Sequence, residues 1–114
     1  ARADRVRSSV REGLRAAIRD PMTGLHNRRY ALPALEALAR EARAKGGMLA
    51  VMLADLDHFK RINDRHGHAA GDAVLIETAR RLRNTLPGEA LVARMGGEEF
   101  LLALPVPSAK TAEG

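Results

Sequence analysis

The stretch Arg94-Met95-Gly96-Gly97-Glu98-Glu99-Phe100 does most to limit how this chain folds. Two glycines and two acids separate the apolar runs Ala90–Ala93 and Phe100–Leu104. A tight two-residue turn needs positive φ, which glycine adopts at little steric cost, so Gly96-Gly97 predicts a β-hairpin. Glu98 and Glu99 then open the returning strand.

The other elements follow from periodicity. Val6, Val10, Leu14, Ala17 and Ile18 predict a helix over residues 1–19 with a narrow apolar stripe. Such a stripe suits either a stalk paired with a second copy of itself or a helix packed on its own domain. Asp20-Pro21 ends it, because proline disfavours α conformation in the residue before it. A second helix is predicted from Arg28 to Ala44, burying Leu32, Leu35, Leu38, Ala39 and Ala42 and ended by Gly46-Gly47. Pro33 fits best in its first turn, which moves the regular part towards Tyr30–Leu32. Met48 to Ala54 is an unbroken apolar run and predicts a strand buried on both faces. Short and long helices are predicted over Phe59–Arg65 and Ala70–Leu86, separated at Gly67 and stopped by Pro87-Gly88. Pro105-Val106-Pro107 ends the second hairpin strand, and Ser108–Glu113 starts another helix. A strand–helix–strand unit joined to a hairpin predicts an α+β domain with a partly antiparallel sheet.

Composition narrows the function. The chain has 114 residues, enough for one domain, and 46% of them are hydrophobic but only 3% aromatic, so the core is aliphatic. No run approaches the roughly 20 apolar residues of a membrane span. Cysteine is absent, which removes disulfides and thiolate metal sites and fits a cytoplasmic setting. The net charge of +5 reads as an Arg-rich solvated surface or as an affinity for phosphates. A nucleic-acid-binding domain would interleave its arginines with stacking aromatics, and one Tyr with two Phe does not supply them.

The chemistry lies in the acids. Asp55 and Asp57 stand two apart at the end of the apolar strand, on one side of an extended chain. If that strand neighbours the hairpin, Asp55 and Glu98 converge. Convergent carboxylates repel unless a cation neutralises them, and hard oxygen ligands favour Mg²⁺. The plainer readings are an N-cap for Asp55 and Asp57 and a solvated hairpin edge for Glu98 and Glu99. Lys60 is placed to meet a phosphate, and Asn63 and Asp72 to hydrogen-bond a nucleobase. Their plainer roles are a surface lysine, a turn former and a helix-dipole partner. His66 and His68 alone argue against zinc.

Three stretches in order resemble the GGDEF domain of the diguanylate cyclase family. They are Asp20 to Arg29 at the domain boundary, Asp55 to Asp72, and Arg94 to Phe100 in the GGEEF form of the signature. The resemblance spans residues 20–104, with 1–19 as a helical stalk and 20–114 as the N-terminal portion of the domain. It implies an α/β core like that of nucleotidyl cyclases and polymerase palms, a central mixed sheet flanked by helices. It implies an enzyme that condenses two GTP into cyclic di-GMP and pyrophosphate. Asp55, Glu98 and the Leu56 carbonyl would hold Mg²⁺, with Mn²⁺ as the alternative. Asp55, Glu98, Glu99 and Lys60 would form the catalytic set. Asn63 and Asp72 would read guanine, Gly96 and Gly97 would admit ribose and phosphates, and amides around His58 and Phe59 would meet phosphate. Two subunits would face each other, the 3′-hydroxyl of each GTP attacking the α-phosphate of the other. Asp55, or a metal-bound hydroxide beside it, would take the proton. An upstream sensor would act through the stalk, and the parent protein is either free or membrane-anchored.

The chain departs from the family twice. The Arg-x-x-Asp pair of the product-inhibition site is replaced by Pro87 and Ala90, which predicts no inhibition there. Further helices, strands and a basic phosphate clamp that follow the hairpin in the family are expected outside these 114 residues, so the piece alone is expected to be weak or inactive. The alternative function is a GTP-binding regulatory module without cyclase activity.

Overall fold

The computed structural model describes residues 17–107. The predicted stalk and the predicted helix after Pro107 lie outside them, apart from a helical Ala17-Ile18. The elements are β1 (His26–Asn27), α1 (Arg28–Ala44), β2 (Met48–Asp55), α2 (Phe59–His66), α3 (His68–Thr85), β3 (Leu91–Gly96) and β4 (Glu99–Val106). The four strands form one sheet in the order β1-β3-β4-β2. β1 runs parallel to β3, while β4 is antiparallel to both β3 and β2. β4 thus inserts between the two strands linked by α2 and α3, giving the expected mixed sheet.

Alternation along β3 and β4 builds two cores. Val92 and Phe100 pack with Leu25, Leu75 and Ala79, and so face α3. Leu91, Ala93, Leu101 and Ala103 point the other way and pack with Ala31 of α1. Helices therefore cover both faces of the central strands. Phe100, at 1% exposure, is the largest side chain in the core.

α1 occupies the predicted range, and its cap explains where it starts. Asn27 Oδ1 accepts a hydrogen bond from the Tyr30 amide at 3.1 Å. Asn27 Nδ2 donates to the Ala17 carbonyl at 3.0 Å, tying the preceding segment to the helix. Pro33 sits inside the helix, not in its first turn. It leaves the Arg29 carbonyl without a helical donor, and both residues are exposed, so solvent supplies one. The inward stripe is Ala31, Leu35, Leu38 and Ala42; Leu32, expected inside, is 47% exposed.

Two further expectations are corrected. β2 is not buried on both faces. It is an edge strand, with Val51 and Leu53 exposed on the α1 side and Met52 on the α3 side, at 51%, 63% and 60%. α1 and α3 lie over β3 and β4, and reach only the ends of β2, at Leu49 and Ala54. The hairpin turn is Gly97-Glu98, not Gly96-Gly97. A bulge between Arg94 and Gly96 absorbs one residue, so Gly96 pairs with Glu99 and Gly97 takes the left-handed φ of +46°. β4 ends at Val106, within the expected Pro105-Val106-Pro107, with Pro105 opposite Leu49. No helix among the described residues is long and apolar enough to cross a membrane.

Candidate nucleotide and metal site

The register of the edge pair creates the site. β2 and β4 pair along their whole length, ending with Ala54 opposite Phe100 and Asp55 opposite Glu99. The Leu56 amide then donates to the Glu98 carbonyl at 3.3 Å, extending the ladder past the strand ends. Asp55 and Glu98 meet there. Burial, the Asp55 charge and a hydrogen bond with Asp55 together raise the Glu98 carboxyl above its ordinary value. Glu98 achieves this from the tip of the turn, whereas Glu99 begins the strand and is exposed. Asp57 has left the strand for an exposed turn and takes no part in the pairing.

Two facing carboxylates are the donor chemistry that a hard divalent cation relieves. Among the described residues, no group of three His, Cys, Asp or Glu side chains converges. The pair and a backbone carbonyl such as that of Leu56 would leave positions for phosphate oxygens and water, which fits Mg²⁺ and not a cation needing an all-protein cage.

Beyond Leu56 the chain turns sharply. His58 adopts the left-handed region at φ +59°, the one non-glycine among the described residues to have positive φ. That strain lets α2 begin at Phe59 immediately after the turn. No side chain caps α2, so neither Asp55 nor Asp57 is an N-cap there. The Phe59 and Lys60 amides therefore face outwards from a helix start, an arrangement suited to phosphate. Lys60 is exposed, and lines an open cleft of about 510 Å³ with His58, Arg61, Asp64 and Arg65.

Asn63 and Asp72 sit on α2 and α3, and both are half-buried. The helices meet beside them, with the Asn63 side chain against Gly71. Asn63 Oδ1 is buried and has no hydrogen-bond partner among the described residues. Gly96 and Gly97 line a separate cleft with Asp20, Arg28, Arg29 and Arg94, and Gly96 has open space where a side chain would stand. The fold thus gathers Asp55, Leu56 and Glu98 at the end of the edge pair, follows them with His58 and Phe59, turns Lys60 to a cleft lined by neither Asp55 nor Glu98, and seats Asn63 and Asp72 on the helices.

Sequence reasoning read Asp20 as a helix stop and the start of the domain-boundary motif, and missed its contacts. Its Oδ2 accepts from the Thr23 amide and hydroxyl, both at 2.8 Å, and Arg94 Nη1 donates to its Oδ1 at 3.2 Å. Arg94 Nε donates to the Gly97 carbonyl at 2.9 Å, so one guanidinium holds the hairpin turn to the segment preceding β1. The Asp20–Thr23 spacing is an Asx-turn signal that pointed to this loop, but nothing local pointed to Arg94.

The model of the family "Diguanylate cyclase, GGDEF domain" matches residues 17–113. The response regulator PleD of Caulobacter vibrioides is 42% identical over 90% of this chain and 22% of its own length. The diguanylate cyclase DgcP of Pseudomonas aeruginosa is 44% identical over 89% of this chain and 15% of its own. The crystal structure of the coiled coil and GGDEF domain of DgcB from Caulobacter crescentus, in complex with c-di-GMP, superposes with a TM-score of 0.87. It is 30% identical, covering 97% of this chain and 58% of that one. This chain therefore spans only part of the length of its relatives. With a match over nearly all of its residues and the same fold beneath it, this chain belongs to the diguanylate cyclase GGDEF domain family.

Proposed function

We propose that the protein carrying this chain condenses two molecules of GTP into cyclic di-GMP. The observation that carries this is the meeting of Asp55 and Glu98 at the end of the β2–β4 pair, with the raised Glu98 carboxyl as its electrostatic sign. Asp55, Glu98 and the Leu56 carbonyl would hold Mg²⁺, which supplies charge stabilisation to a phosphoryl group. Asn63 and Asp72 select guanine, and Lys60 with the amides around His58 and Phe59 holds phosphate. Gly96 and Gly97 let the nucleotide approach the backbone, and Glu99 supports the acid pair from the first position of β4. Asp55 accepts the 3′-hydroxyl proton as that oxygen bonds to the α-phosphorus of the facing GTP. The bond from that phosphorus to pyrophosphate breaks, and the second half-reaction repeats this with the roles exchanged. The reaction needs two chains face to face, with residues 1–19 as a stalk that joins them and links them to an upstream sensor.

The test is to incubate the full-length protein with GTP and Mg²⁺, beside Glu98→Ala, and to follow cyclic di-GMP and pyrophosphate. Product from the wild type and none from the variant is the expected result. Equal rates remove Glu98 from the mechanism, and GTP binding with no product from either favours the regulatory module.

A further inference from the structure

Gly71 lies in the first turns of α3 and is buried. It has no positive φ and no turn to make, so backbone conformation does not call for glycine here. Inside a helix, glycine is disfavoured relative to alanine. The reason for it lies across the helix contact. A Cβ at position 71 would overlap Oδ1 of Asn63 and stand 2.8 Å from its Cγ and 3.3 Å from its Nδ2. The Asn63 carboxamide presses its Oδ1 end onto the bare Cα of the facing helix.

That placement leaves Asn63 Oδ1 buried without a donor among the described residues. Unpaired buried acceptors are rare in folded proteins, because each carries a desolvation cost. With Oδ1 taken up by this contact, the carboxamide has its Nδ2 donors left for the edge of a base, and guanine presents O6 and N7 as acceptors. We infer that Gly71 is a positioning residue for base selection, clearing the space that holds the Asn63 carboxamide in its reading position. The inference rests on Asn63 contacting the base, as in the proposed function. Alanine at 71 suits the helix but evicts the carboxamide, because the far end of a side chain yields more readily than a helix contact.

The test uses the full-length protein as wild type, Gly71→Ala, Asn63→Ala and the double variant. GTP binding with Mg²⁺ is measured by calorimetry, with tripolyphosphate as a probe lacking a base, and Tm is recorded for each. Gly71→Ala is expected to weaken GTP binding by roughly tenfold, the loss of one buried hydrogen bond. Tripolyphosphate binding stays unchanged, and Tm is equal or higher. Added to Asn63→Ala, it weakens binding no further, because both act through one side chain. Wild-type GTP affinity in Gly71→Ala, additive losses in the double variant, or a large fall in Tm overturns the inference while Asn63 keeps its role. Wild-type affinity in Asn63→Ala overturns the base contact itself and the inference with it.

Discussion

The carboxylate of Asp20 and the guanidinium of Arg94, 74 residues apart in sequence, meet at 3.2 Å with 16% of each side chain exposed. Through Arg94 Nε the contact reaches the Gly97 carbonyl, beside Glu98. The segment entering the domain and the turn carrying Glu98 share one cation. Shielded from solvent, the pair couples more strongly than an exposed ion pair does. Arg94→Ala is expected to cost about 2 kcal/mol in urea denaturation. A double-mutant cycle with Asp20→Asn should return a coupling of about 1 kcal/mol. Coupling near zero would mean that the two side chains act independently.

The same contact sets an acid limit. Burial raises the Asp20 carboxyl, but hydrogen bonds from Thr23 and the charge and hydrogen bond of Arg94 outweigh it and hold the group below 3.8. A depressed folded value means that the stabilisation is complete above 3.8 and is lost as pH falls through the folded value. The stability gap between wild type and Asp20→Asn should be flat near neutral pH and close only in that acid window. A gap that closes near pH ~6 would point to another group.

Glu98 has the opposite sign. Its raised carboxyl means that the folded state pays a repulsion present above the folded value and relieved as pH falls towards 4.5. In EDTA at neutral pH, Glu98→Gln should melt at the wild-type temperature or above. Added Mg²⁺ should raise the Tm of the wild type and leave that of the variant unchanged, since only a folded site binds the ion. Equal Mg²⁺ shifts in both would dissociate Glu98 from the cation.

Leu53 and Leu101 are cross-strand partners, yet one is 63% exposed and the other 2%. Within the 114-residue chain, Leu101→Ala should cost about 2–5 kcal/mol by opening a cavity. Leu53→Ala should stay within about 0.5 kcal/mol, as at an open surface. Comparable costs, measured by denaturant titration, would mean that β2 is covered in solution.

Residues 87–90 form a turn closed by the Ala90 amide donating to the Pro87 carbonyl at 3.0 Å. Neither Pro87 nor Ala90 has a side chain able to hold a phosphate. Added cyclic di-GMP should leave initial GTP turnover by the full-length protein unaltered through this segment. Inhibition that is lost when residues 87–90 are replaced would reverse that conclusion.

What could be read directly is what depends on neighbours in sequence. The helical periodicity of Leu35, Leu38 and Ala42, the stop at Gly46 and the hairpin between two apolar runs all follow from local rules, and all appear. The pairing of the Asp55 strand with the hairpin, on which the acid site depends, stood in the sequence only as a condition, and the sheet supplies it. Residues Met48–Ala54 were misjudged because an apolar run states a preference for burial without supplying the layer that covers it. The turn slipped by one residue because a bulge is decided by which side of β4 meets the core, and Phe100 had to face α3. Asp20 with Arg94, and Asn63 on Gly71, were beyond local reading, since each joins segments whose approach is set by packing elsewhere. The chain's own chemistry determined which acids and amides were available; the tertiary structure decided which of them met, because convergence of charge needs a rigid core to oppose the repulsion.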